Sequence, residues 1–183
     1  LPNGPLAKFS SGPMNHFRPA WSADGKVVRF VQGDRTFRAV EKNANGSGEL
    51  RELPALGHEV VEIASSRDGA WLVMRTGGAD TSRVLLVRRA GVDAGPRVLS
   101  SGSGNKLGLA ISPDSRLIAF ESGVSGRPEV YVAPFPDMAS ARWQLSLSGG
   151  YEPRWSADGK SLFYVNIADE LMEAKLSVGA TIA

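Results

Sequence analysis

Four aspartates, Asp24, Asp68, Asp114 and Asp158, sit in near-identical surroundings at spacings of 44, 46 and 44 residues. Glycine follows three of them (Gly25, Gly69, Gly159) and Ser115 follows the fourth. Asp-Gly is a tight-turn signal, because glycine supplies the positive φ that a hairpin turn needs. Apolar residues then recur at fixed offsets. Val28, Leu72, Ile118 and Leu162 lie four places past the aspartate, and Phe30, Met74, Phe120 and Tyr164 lie six past it. A step of two is the period of a strand.

The odd offsets are largely apolar too: Val27, Trp71 and Leu117, then Val73, Ala119 and Phe163. Strands buried on one face alternate, and these mostly do not, so they read as covered on both faces. Short, doubly covered strands at a period near 45 residues predict an all-β fold, a β-propeller of four-stranded antiparallel blades with four repeats in residues 1–183. Glycine and proline fit that turn-rich plan: 32 of 183 residues, against roughly 12% on average.

The repeat register places the other strands. An inner strand precedes each turn, and a second follows it. A third is predicted at 36–40, 82–87, 129–133 and 170–176, the last overriding a helix-friendly composition. A short outer strand ends on a large apolar residue, Phe9, Leu53, Leu99 or Leu145. The chain therefore begins with an outer strand at 6–10 and closes after a third strand. Three arrangements satisfy that count: a four-bladed ring from one chain, an eight-bladed ring in which two chains exchange the 6–10 strand, or a piece of a longer propeller. The two-chain homodimer is the expectation, narrowly ahead of the fragment. Leu1 is not methionine, so the native start is expected to lie upstream.

The turn sequences carry a resemblance. Trp21-Ser22-Ala23-Asp24-Gly25 and Trp155-Ser156-Ala157-Asp158-Gly159 resemble the WD40-like PD40 repeat of TolB-type β-propellers. Ser112-Pro113-Asp114 keeps part of the pattern, and Ser65-Ser66-Arg67-Asp68-Gly69 less of it. Within 126–165, the runs E-V-Y-V-A-P-F-P, W-Q-L-S and G-G-Y-E-P-R-W are similar to the propeller that follows the kinase domain in many bacterial serine/threonine kinases. That resemblance implies a bacterial sensing or docking module, extracytoplasmic or periplasmic, usually one part of a longer polypeptide. The chain has no kinase lysine strand, H-R-D loop or D-F-G.

Catalytic chemistry finds few residues. There is no cysteine, which removes disulfides, thiolate metal sites and a thiol nucleophile. Gly102-Ser103-Gly104 and Gly123-Val124-Ser125-Gly126 do not complete a nucleophile elbow. The glycine-rich 100–105 run lacks the Lys-Ser pair of a phosphate loop. One carboxylate per turn cannot supply the six or more oxygens calcium wants, so the aspartates read as caps of their own turns. No cofactor is predicted. With 21 basic against 19 acidic residues, and no aromatics interleaved around Arg83, Arg88 and Arg89, nucleic acid is not an expected partner. No apolar run reaches the roughly 20 residues of a membrane-spanning helix.

Geometry supplies the binding candidates. Six places before the turn aspartates stand Arg18, Glu62, Gly108 and Glu152, with Tyr151 alongside. In a propeller these positions ring one mouth of the channel, and His16 and His58 fall in linkers near it. A mixed-charge ring suits a protein, peptide or small polar ligand, and suits equally a hydrated channel closed by its own salt bridges. The leading expectation is a non-catalytic interaction or ligand-sensing module. The alternative is the substrate-gating propeller of a hydrolase related to prolyl oligopeptidase.

Overall fold

The computed structural model describes residues 7–77, 84–89, 95–100 and 106–176. The described residues contain no helix, and their strands form four antiparallel sheets. Blade 1 is β1 (Asn15–Trp21), β2 (Val27–Gly33), β3 (Phe37–Asn43) and β4 (Arg51–Glu52), hydrogen-bonded in chain order. Blade 2 is β5 (Val60–Ser65), β6 (Trp71–Thr76), β7 (Leu85–Arg89) and β8 (Arg97–Ser100). Blade 3 is β9 (Lys106–Ile111), β10 (Leu117–Ser122), β11 (Glu129–Pro134) and β12 (Trp143–Gln144). Blade 4 has three strands, β13 (Tyr151–Trp155), β14 (Ser161–Val165) and β15 (Leu171–Lys175). The predicted strand at 6–10 is not formed in residues 7–10, and Leu6 lies outside the described residues, as do 82–83 and 101–105.

Each Asp turn is built the same way. The aspartate Oδ1 accepts the amide two residues on, from Lys26, Ala70, Arg116 and Lys160, at 3.0–3.1 Å. It also accepts the hydroxyl of the serine two residues back, Ser22, Ser66, Ser112 or Ser156. That serine oxygen in turn accepts the amide five residues on, at 2.9 Å in all four blades. The residue after the aspartate is left-handed throughout: Gly25, Gly69 and Gly159 at φ 68°, 71° and 73°, and Ser115 at 58°. The aspartates are therefore structural caps, as their sequence context implies.

Strand periodicity sorts the core between blades. Offsets of four and six past the aspartate face the preceding blade, and offsets of five and seven face the following one. Val31 and Ala39 of blade 1 thus meet Leu72, Met74 and Leu86 of blade 2. Val73, Leu85 and Val87 of blade 2 meet Ile118, Phe120 and Tyr131 of blade 3. Ala119, Val130 and Val132 of blade 3 meet Leu162 and Tyr164 of blade 4. The outer-strand residues Leu53, Leu99 and Leu145 each join the joint with the next blade. Phe9 holds the same station against blade 1, its ring 6.4 Å edge-on from Phe30. Full burial of both sheet faces stabilises each such large side chain by about 1.5–3 kcal/mol.

Trp155 is packed between blades: it sits in the blade 3–4 joint and its indole N–H donates to the Ala110 carbonyl at 2.9 Å. Trp21, in the same station of blade 1, is 64% exposed. The reason is that no described blade lies on its upstream side.

Candidate functional site: the bulged rim of the inner strands

The inner strands β1, β5, β9 and β13 touch in succession. Each carries a bulge at the predicted ring position. Pairing with the second strand slips between Phe17 and Ala20, between Val60 and Glu62, opposite Ala119–Glu121, and between Tyr151 and Arg154. A bulge inserts a residue, breaks the alternation and re-aims a side chain. Arg18, Gly108 and Glu152 take left-handed φ of 54°, 58° and 54° there. At 108 glycine avoids the strain that Arg18 and Glu152 bear at the same φ, and it leaves room for its neighbours. A Cβ there would stand 2.4 Å from Glu121 Oε1 and 3.1 Å from Pro153.

Carboxylates of one blade hold the bulge of the next. Glu62, 4% exposed, accepts Arg75 Nε at 2.9 Å and the Leu109 amide of blade 3 at 2.9 Å. Arg18 reaches the same carboxylate at 3.7 Å. Glu121, buried on blade 3, accepts the Glu152 amide of blade 4 at 2.8 Å. Burial raises the Glu121 carboxyl above its ordinary range, and the nearby charges of Glu62 and Glu152 add to this against the opposing Glu152 amide bond and Arg154. The rim thus presents exposed Arg18, Glu152 and Arg154 over two buried carboxylates.

The structure brings Arg18 and Glu62 together and sets Glu152 one clamp away. Tyr151 is half-buried beside it and its hydroxyl donates to Asp169 of its own blade, which raises the phenol above its usual range. His16 stands apart from the ring. Its imidazole lies on the upstream face of blade 1, 5.4 Å edge-on from Phe30, with Nε2 buried and no hydrogen bond formed to it. His58 closes the turn from Ala55, whose carbonyl accepts the His58 amide at 2.9 Å. Among the described residues no group of three His, Cys, Asp or Glu is disposed to hold a metal.

Sequence reasoning missed Arg75, Glu121 and Arg154. Arg75 and Glu121 both stand seven places past their turn aspartate. Two charges at an offset that is otherwise Val31 and Val165 were the available signal.

The E-V-Y-V, W-Q-L-S and G-G motifs converge on one buried group. Glu129, 1% exposed, accepts the Ser146 hydroxyl, the Gly149 amide at 3.0 Å and Arg127 Nε at 2.6 Å. Burial pushes its carboxyl up, but these hydrogen bonds together outweigh that and hold it below its ordinary value. The motif is an internal fastening of blade 3 to the linker that leads into blade 4.

No protein-family profile and no curated protein sequence matches the chain. Solved structures do match in fold. A TolB-type protein from Agrobacterium tumefaciens superposes with a TM-score of 0.72 at 13% identity, over 91% of this chain and 60% of that one. TolB from Acinetobacter baumannii gives 0.68 at 18% identity, over 95% and 44%. A puromycin-hydrolysing peptidase from Mycobacterium tuberculosis gives 0.70 at 16% identity, over 93% and 30%. The chain spans about half the length of the TolB structures it matches. Its fold is that of the TolB-like, WD40-like β-propellers, with four blades among the described residues.

Proposed function

We propose that the chain is a non-catalytic interaction or ligand-sensing module that takes a peptide, or a protein segment, on the bulged rim of its inner strands. The observation that carries this reading is the pairing of exposed Arg18 and Glu152, each held left-handed at a bulge, with carboxylates that clamp neighbouring blades. Opposite charges fixed on rigid strands suit a zwitterionic backbone or a salt-bridging side chain, and function commonly sits on such scaffold edges. The resemblance of 126–165 to the propellers behind bacterial kinases supports a docking role within a larger, extracytoplasmic protein. The reading includes assembly with a second copy into one eight-bladed ring.

The test is an array of random octapeptides probed with the wild-type chain and with Arg18→Gln and Glu152→Gln. Bound peptides should weaken at least about tenfold in either variant, the scale of one lost charged contact, while the melting temperature holds. Peptides that bind all three proteins equally would put the contact surface elsewhere.

The match to a peptidase favours one second reading, a substrate-gating propeller of a hydrolase. It requires a catalytic domain on the same polypeptide, and the complete open reading frame decides it.

A further inference from the structure

The three joints between blades define what a complete joint contains, and both halves of a fourth are present on this chain without meeting. Deepening the two-copy reading above, we infer that the upstream face of blade 1 docks on the downstream face of blade 4 of a second copy, in the register of the existing joints.

Three correspondences fix that register. The first is the tryptophan. Trp155 donates its indole N–H to the carbonyl four places before the aspartate of the preceding blade, Ala110. Trp21, 64% exposed, has its counterpart acceptor in the carbonyl of the partner subunit's Arg154. The second is the outer strand. Leu53 donates its amide to Ala39, and Leu145 donates to Val130, at 2.9 and 2.8 Å. Ala39 and Val130 both pair with the residue seven past the aspartate, Val31 and Glu121. Leu171 pairs with Val165 at that same offset in blade 4. Phe9, already seated against Phe30, therefore stands to donate to the partner subunit's Leu171, and Lys8 to lie opposite the partner's Met172. The β15 edge has no further strand beside it in the described sheet.

The third correspondence is charge. Glu41 of blade 1 and Arg88 of blade 2 line one cleft in their joint. Glu41 pairs with Arg29, five past the aspartate, and Arg88 pairs with Leu72, four past it. At those offsets blade 4 offers Glu173, paired with Phe163, and blade 1 offers Lys42, paired with Val28. The missing joint thus has an acid on its downstream face and a base on its upstream face, the same polarity as the joint that exists. Leu171, 72% exposed on the same blade 4 face, supplies apolar surface to cover.

The chain's lack of cysteine allows a direct test. Light scattering on the wild-type chain should give twice 19.4 kDa. In the Lys8→Cys, Met172→Cys double variant, oxidised glutathione should yield a covalent dimer that neither single variant forms. A dimer by scattering without that crosslink would overturn this joint and leave the two-copy reading standing. A monomer, or a ladder of longer oligomers, would overturn both. A second arm does not depend on the cysteines. Lys42→Glu should weaken the dimer about tenfold, and adding Glu173→Lys should restore it. Failure of the swap to restore, in folded protein, would exclude the Lys42–Glu173 register.

Discussion

Ser115 alone among the four turn residues carries a side chain into the left-handed region, and its hydroxyl is buried without a partner. A non-glycine residue held there costs on the order of 1–3 kcal/mol. Ser115→Gly should therefore stabilise the chain by about 1 kcal/mol in urea unfolding, and a variant no more stable than the parent would show the turn relaxes around serine. The two buried glutamates respond to pH with opposite signs. Glu129 has its carboxyl lowered, so its contribution is present above the unfolded value and disappears as pH falls through the folded one. Glu121 has its carboxyl raised, so its contribution is present in acid and disappears as pH rises through the folded value. Glu121→Gln keeps an oxygen for the Glu152 amide and discards the charge. It should raise the melting temperature at pH 7 and not at pH 4, whereas Glu129→Gln should lower it at pH 7 and lose that effect in acid. Equal shifts at both pH values would contradict the assignment.

At the scale of elements, the strands flanking the Asp turns were legible because their cause is local, whereas the strand expected at 6–10 is not formed in residues 7–10. An Asp turn fixes where the second strand starts, and apolar offsets of four and six fix which side faces upstream. Even β15, whose composition favours helix, follows the repeat, because Leu162 and Tyr164 need partners across the sheet in Ala174 and Met172. The bulges were not legible. Arg18 and Glu152 are not glycine, and nothing in their identity announces a positive φ. The clamps join residues 47 and 31 positions apart, Glu62 to Leu109 and Glu121 to Glu152, and only blade stacking puts them in reach. His16, expected in a linker near the mouth, instead lies within β1 and packs on the blade face with Phe30. The tryptophan pair gives an element-scale prediction. Trp155→Phe keeps the ring and loses the bond to Ala110, costing about 1 kcal/mol whatever the protein concentration. Trp21→Phe should cost stability only where concentration favours the two-copy joint. A concentration-independent loss for Trp21→Phe would contradict this.

At the scale of the whole molecule, the blades are stacked by a repeated polar and apolar scheme. Side chains also reach past the nearest neighbour: Arg67 of blade 2 donates to the Ala157 carbonyl of blade 4 at 2.8 Å. The inner strands touch in succession, so the rim is a property of the stack and not of any one blade. The likeness to TolB structures at 13–18% identity fits a fold specified by periodicity and turn chemistry. Carboxylates of one blade fix the bulge of the next and so hold the rim rigid. Amide hydrogen exchange tests it at the Leu109 and Glu152 amides. Both should be protected as strongly as ladder amides such as Val73, with the Leu109 protection lost in Glu62→Ala and the Glu152 protection lost in Glu121→Ala. Exchange as fast as in the exposed turn at Gly46 would show that the clamps do not hold and that the rim is not preorganised.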